Sequence, residues 1–283
     1  LEGQATGNEK KPTDHMHKIL VPTDFSENAF NALEYAVEMA NLFGSSITLL
    51  HTYTASSTSG MFVSVESFMK KDAAEQALLA LRKVEPRLQG EAAVDTQILR
   101  GPTNRTIREV ADEQGYDLII MGTQGASGLA EVFLGSTANS VIKDALTPVL
   151  AIPNGSSYRP IRQIVFAIDD EGIGHAGVVK PLVQLAKKTH APVRVFHQAL
   201  DAERDGIDPS VDLYLEEVEH SFHYELDQED INESINSFVK DNQAELLCML
   251  RRSRGFLEEV FHRSATTKEV FDSPVPLLVL KDS

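Results

Sequence analysis

The chain repeats itself, and that feature limits its fold more than any other. Ile164-Val-Phe-Ala-Ile-Asp169 matches Ile19-Leu-Val-Pro-Thr-Asp24 at a shift of 145 residues. Val193-Arg-Val-Phe-His197 matches Ile47-Thr-Leu-Leu-His51 at a shift of 146. From Asp117 onward a gap-free match runs at a shift of 128, pairing Glu131-Val-Phe133 with Glu259-Val-Phe261 and Pro148-Val-Leu-Ala-Ile152 with Pro276-Leu-Leu-Val-Leu280. The fall from 146 to 128 makes the second copy 18 residues shorter between its second and fourth strands. Two copies of one domain account for a length of 283 residues.

Within the first copy, short apolar runs alternate with helical patterns. Lys18 to Asp24 is an apolar run closed by a turn signal, as a buried parallel strand requires. Ser26 is a plausible N-cap for a helix with Ala29, Ala32, Leu33, Ala36, Val37 and Ala40 on one face, stopped by Gly44. Further strands are expected at Ile47–Tyr53, Val94–Leu99, Leu118–Gly122 and Val149–Ile152, with helices at Val65–Leu88, Thr103–Gln114 and Ser136–Ala145. This alternation predicts a parallel sheet with helices on both faces. The expected domains are 16–153 and 161–283, joined by a turn-rich linker at 154–160. Residues 1–15 are polar, do not begin with Met, and read as a disordered arm or a cloning remnant.

Gly122-Thr-Gln-Gly125 follows the fourth strand directly, and Gly135-Ser136 comes nine residues later at the start of a helix. Glycines allow close backbone approach, and the N–H groups of a helix N-terminus favour an anion such as phosphate. The loop lies at the carboxyl end of a parallel strand, where open α/β sheets bind ligands. Ser136 and Thr137 add hydroxyl donors.

Val21-Pro-Thr-Asp24 with Ser26, together with Gly122-x2-Gly125-x9-Gly135-Ser136, resembles the universal stress protein family. The resemblance covers both halves and implies two tandem Rossmann-like domains of the adenine nucleotide alpha hydrolase type. Each would be an open five-stranded parallel sheet. The first half is similar to the ATP-binding branch. That implies Pro22, Thr23 and Asp24 around an adenine, Ile47 beside it, and Met121 and Gly122 along the ribose and phosphate path. Gly125, Gly135, Ser136 and Thr137 would cradle the phosphates of ATP held with Mg²⁺ or Mn²⁺. The family's turn after the third strand is present only as Gly101-Pro102. Asp24 alone reads as a helix cap, and the intact glycine motif favours a ligand-facing role. The resemblance also implies a pseudo-dimer of the two halves through Val149–Ile152 and Leu277–Leu280. A homodimer of whole chains is left open.

The second copy lacks the motif. Gly122, Gly125 and Gly135 fall on Leu250, Ser253 and Arg263, while Ser264 and Asp169 keep the types of Ser136 and Asp24. The second domain is therefore expected not to bind ATP in the family's way. Arg251, Arg252, Arg254 and Arg263 cluster where the loop is lost. They read either as exposed surface, as a different anion site, or as contacts to the acidic segment 201–233, which holds 13 acids and one base. That acidic segment itself reads as a solvated surface or a docking face.

Composition narrows the partners. A formal charge of −16 argues against nucleic acid and against a polybasic membrane contact. The single cysteine, Cys248, excludes an internal disulfide and a Cys-rich zinc site. No apolar run reaches the roughly 18 residues of a membrane span, and a cytoplasmic location is expected. His220 and His223, three apart in a strand-like stretch, point to opposite faces and make a poor metal pair. There is no Walker-type loop, no Gly-x-Ser-x-Gly elbow and no clear general base beside the glycine motif. The best reading is an ATP-binding regulatory protein of stress response. The alternatives are a slow ATPase or adenylate-transferring enzyme, and an interaction scaffold without nucleotide.

Overall fold

In the computed structural model, residues 16–54, 62–124, 134–169, 171–199, 206–226, 230–252 and 273–282 are described. Strand β1 (Lys18–Thr23) is buried along its middle on both faces, as its unbroken apolar run requires. Helix α1 (Glu27–Phe43) starts where Ser26 Oγ accepts from the Ala29 N–H and stops at Gly44, whose φ of 71° suits glycine. The chain continues through β2 (Ser46–Tyr53), α2 (Phe62–Val84), β3 (Ala93–Arg100), α3 (Thr103–Glu113), β4 (Leu118–Gly122), α4 (Ser136–Asp144) and β5 (Val149–Ile152). It then runs through β6 (Ile164–Ile168), α5 (Ala176–Thr189), β7 (Val193–Ala199), α6 (Pro209–Leu215), β8 (His220–Leu226), α7 (Ile231–Asp241), β9 (Leu246–Arg251) and β10 (Leu277–Lys281).

The ten strands form one sheet in the order β3-β2-β1-β4-β5-β10-β9-β6-β7-β8. Each half is parallel and Rossmann-like, and the two halves wind identically. They meet where β5 and β10 pair antiparallel, with Leu150 opposite Leu278. The missing length of the second half shows in α6, with seven residues where α2 has 23. Two apolar clusters cover the two faces, and each draws residues from both halves. Among the described residues no helix is long and apolar enough to cross a membrane.

The same anchoring device occurs in both halves. Asp117 Oδ2 accepts from the N–H groups of His17 and Lys18 at 2.7 and 2.9 Å. Glu245 Oε2 accepts from Arg162 and Gln163 at 2.9 and 3.0 Å. The carboxylates are 128 positions apart and their partners 145, the shifts of the sequence repeat.

Candidate functional site

Chain direction reverses its winding at β1, whose neighbours are β2 and β4. Outside the carboxyl ends of these strands, the switch point of an open α/β sheet, lies a cavity of about 290 Å³. Pro22, Thr23 and Asp24 form one wall, and Met121 and Gly122 another. Gly135, Ser136 and Thr137 close it from α4. Gly125, Glu131 and Phe133 lie outside the described residues.

The turn after β1 is tightly specified. Thr23 Oγ1 accepts from the Phe25 N–H at 2.9 Å, and Asp24 Oδ1 accepts from the Ser26 N–H at 3.0 Å. Phe25 holds φ at 62°, a costly conformation for a bulky side chain. Its ring stacks on His51 at a centroid distance of 4.6 Å. The Thr23 carbonyl accepts from His51 Nδ1 at 2.9 Å, so that nitrogen carries a proton. Asp24 thus lines the cavity while also ordering the entry to α1, whose N-cap is Ser26.

Ile47 stands apart from the other expected site residues. It is the second residue of β2, pairs with Ile19 and is buried between the sheet and α1, so it does not line the cavity. The cavity sits at the carboxyl ends of the strands, and there β2 contributes Leu50, His51 and Thr52. The register Thr23↔His51 places them beside the end of β1. Thr103 and Ile107 of α3, with Thr123 and Gln124, also line it without having been singled out in the sequence. The sign available for Thr103 was its position just after Gly101-Pro102.

Gly122 and Gly135 also have packing and backbone surroundings of their own. Gly122 is needed because α1 crosses it closely: a Cβ there would lie 2.9 Å from Asn28 Nδ2 and 3.1 Å from the Asn28 carbonyl. Asn28 Nδ2 donates to the Gln124 carbonyl at 2.7 Å. Gly135, the residue before α4, has φ −59° and ψ 159°, which any residue can adopt. Its N–H donates to the Thr123 carbonyl at 2.5 Å. No side chain caps α4, and the N–H groups of its first turn have no intrahelical acceptor.

Among the described residues no Lys or Arg lines the cavity, and Asp24 and His51 are its only titratable groups. Among the described residues the Thr123 hydroxyl, on a residue 1% exposed, has no hydrogen-bond partner, nor does Asn28 Oδ1 nearby. Orphaned polar atoms at a cavity wall are seats for water or a ligand. Among the described residues no group of three or more His, Cys, Asp or Glu side chains converges on a metal position. One carboxylate and the hydroxyls of Thr23, Ser136 and Thr137 are oxygen donors of the kind Mg²⁺ takes alongside phosphates.

At the corresponding place in the second half, Arg252 takes the position of Gln124. Its side chain, 11% exposed, pairs with Asp169, with Asp282 at 3.3 Å and with Glu171 at 3.7 Å, and donates to the Glu171 carbonyl at 3.0 Å. None of these acids belongs to the segment 201–233, so Arg252 serves its own half. Arg254 and Arg263 lie outside the described residues. Several acids of the 201–233 segment cap or pair locally: Asp208 and Asp230 accept from the first turns of α6 and α7, and Asp212 pairs with His220. Cys248 is buried, and burial pushes its thiol pKa up.

The universal stress protein family model matches residues 15–153. Over 141 residues the chain is 31% identical to universal stress protein MJ0531 of Methanocaldococcus jannaschii, covering 48% of this chain and 81% of that one. Over 156 residues it is 31% identical to universal stress protein MJ0577 of the same organism, covering 50% and 96%. The crystal structure of a universal stress protein from Archaeoglobus fulgidus superposes with a TM-score of 0.73 at 21% identity. That match covers 95% of this chain and 98% of the other, so the shared fold extends through the second half. The motif residues at the mouth of the first cavity and the sequence matches to their half agree: the chain belongs to the universal stress protein family.

Proposed function

We propose that this chain is an ATP-binding regulatory protein built as a tandem of two universal stress protein domains. The first, 16–153, holds the nucleotide, and the second, 161–283, is a degenerate copy with a structural or interaction role. The observation that carries this reading is the open N-terminus of α4, which faces a cavity without basic side chains beside the orphaned Thr123 hydroxyl. Such a site suits an anion held by backbone N–H groups and hydroxyls. Phosphates would lie against Gly135, Ser136 and Thr137, with Gly125 in the same loop. The adenine would sit among Pro22, Thr23 and Met121, and Asp24 would accept from its amine or from a ribose hydroxyl. A divalent cation would be held mainly by the phosphates. The working location is the cytoplasm, and occupancy would change assembly or partner choice.

Thermal unfolding with and without Mg-ATP tests this. Ligand at about 100 times its dissociation constant adds roughly 2.7 kcal/mol of stability. Gly135→Arg introduces the residue found at the second half's equivalent position, and the backbone of Gly135 accepts it. The variant should fold and lose the shift. Retention of the shift by that variant, or its absence from the wild-type chain, would sink the reading. Slow hydrolysis is a lesser alternative: among the described residues the cavity has a single carboxylate, Asp24, to serve as a base. Steady phosphate release by the wild type, absent in the Gly135→Arg variant, would favour it.

A further inference from the structure

Helix α4 runs from one rim of the sheet to the other. Its N-terminus opens on the first cavity, and its C-terminus leads into the amino end of β5. Because β5 and β10 are antiparallel while β10 and β9 are parallel, the amino rim of the first half is the carboxyl rim of the second. There Arg251, the last residue of β9, reaches across the junction. Its guanidinium donates to the Lys143 carbonyl and to the Ala145 carbonyl at 2.9 Å, both at the C-terminal end of α4. These are acceptors that a helix leaves unmatched. Arg251 is half-buried, and burial lowers its pKa against the opposing pull of Asp144 and Asp112. A partly desolvated cation is thus committed to carbonyl groups of the other half.

With nine residues, α4 is only about 13 Å long and too short to hold itself as a helix. Its N-terminal side has no cap. Packing of Ala138, Val141 and Ile142, the Arg108–Asp144 pair at 3.1 Å, and Arg251 hold it, while just beyond its end Asp112 Oδ1 accepts from the Thr147 N–H at 3.0 Å. We propose that Arg251 is a positioning residue for the first cavity: it holds the carbonyl end of α4 and so sets the open first turn against the phosphates. The second copy, which has lost its own loop, thereby tunes the first. This rests on the nucleotide reading above. By linkage, nucleotide binding in turn tightens the hold between the halves.

The test uses the full chain, with Mg-ATP affinity from titration calorimetry and amide hydrogen exchange over 136–145. Arg251→Met keeps the apolar stem and removes the donors. It should weaken binding about tenfold, within the usual range of coupling between sites, and quicken exchange in α4. Arg251→Lys should recover part of both losses, because an ammonium can still reach a carbonyl. Val195→Ala, in the core of the second half, should lower Tm and leave affinity alone. An affinity for Arg251→Met within about twofold of a binding wild type would overturn the assignment alone. Equal weakening by Val195→Ala would also overturn it, by reducing Arg251 to general stability. A wild-type chain that binds no ATP overturns the nucleotide reading, and this assignment with it. If Arg251→Met does not fold, Arg251→Ala decides, since wild-type affinity and exchange in a variant without the donors contradict the proposal.

Discussion

Single atoms decide how closely α1 approaches the end of β4. Gly122→Ala places a methyl 3.1 Å from the Asn28 carbonyl, which is backbone and cannot swing aside. The substitution should cost about 1–3 kcal/mol, as overpacking does, and lower the urea midpoint with an unchanged slope. On β8, two histidines respond to pH in opposite senses. Burial pulls the His220 pKa down, but the Val218 carbonyl and the Asp212 carboxylate outweigh it, and the net shift is upward from 6.5. Its contribution is fully present below pH 6.5 and is lost as pH rises through the raised folded value. Burial, aided by Arg194, lowers His223 from 6.5, so its contribution is present above pH 6.5 and lost as pH falls through the lowered value. Urea unfolding at pH 5 and pH 8 should show His220→Gln losing more stability at pH 5. His223→Gln should lose more at pH 8. Equal losses at both pH values would contradict the assignments.

Helix ends were the most legible elements, because their signals are local. Ser26 and Gly44 bracket α1 as the sequence predicts. Ser26→Ala should cost about 1 kcal/mol of stability, read as a lower Tm. β4 and β5 also fall at the expected residues, since short apolar runs between turn signals leave little latitude. What sequence could not supply was the end of a strand that faces the ligand. The family resemblance implies Ile47 on β2, but only the β1–β2 register shows that His51 and Thr52 reach the rim. Gly122 and Gly135 were found by spacing. The reason for Gly122, a crossing helix, is tertiary, while the backbone of Gly135 does not itself require glycine. The pairing of Arg252 with Asp169 spans 83 positions, and no local pattern announces it.

At the scale of the whole molecule, one sheet and two shared cores predict one unfolding event. Scanning calorimetry should give a single transition for the wild type. Leu278→Lys puts an unpaired ammonium opposite Leu150 at the junction, on a residue now 2% exposed. It should cost more than about 3 kcal/mol and split the transition in two. A single transition at the wild-type Tm would show that the junction contributes nothing. The antiparallel joint has a further consequence for access. The first half's strands end on one rim of the sheet and the second half's on the other, so the two halves open in opposite directions. Whatever approaches the mouth between Asp24 and Ser136 therefore comes from the rim opposite Arg252 and the end of β9.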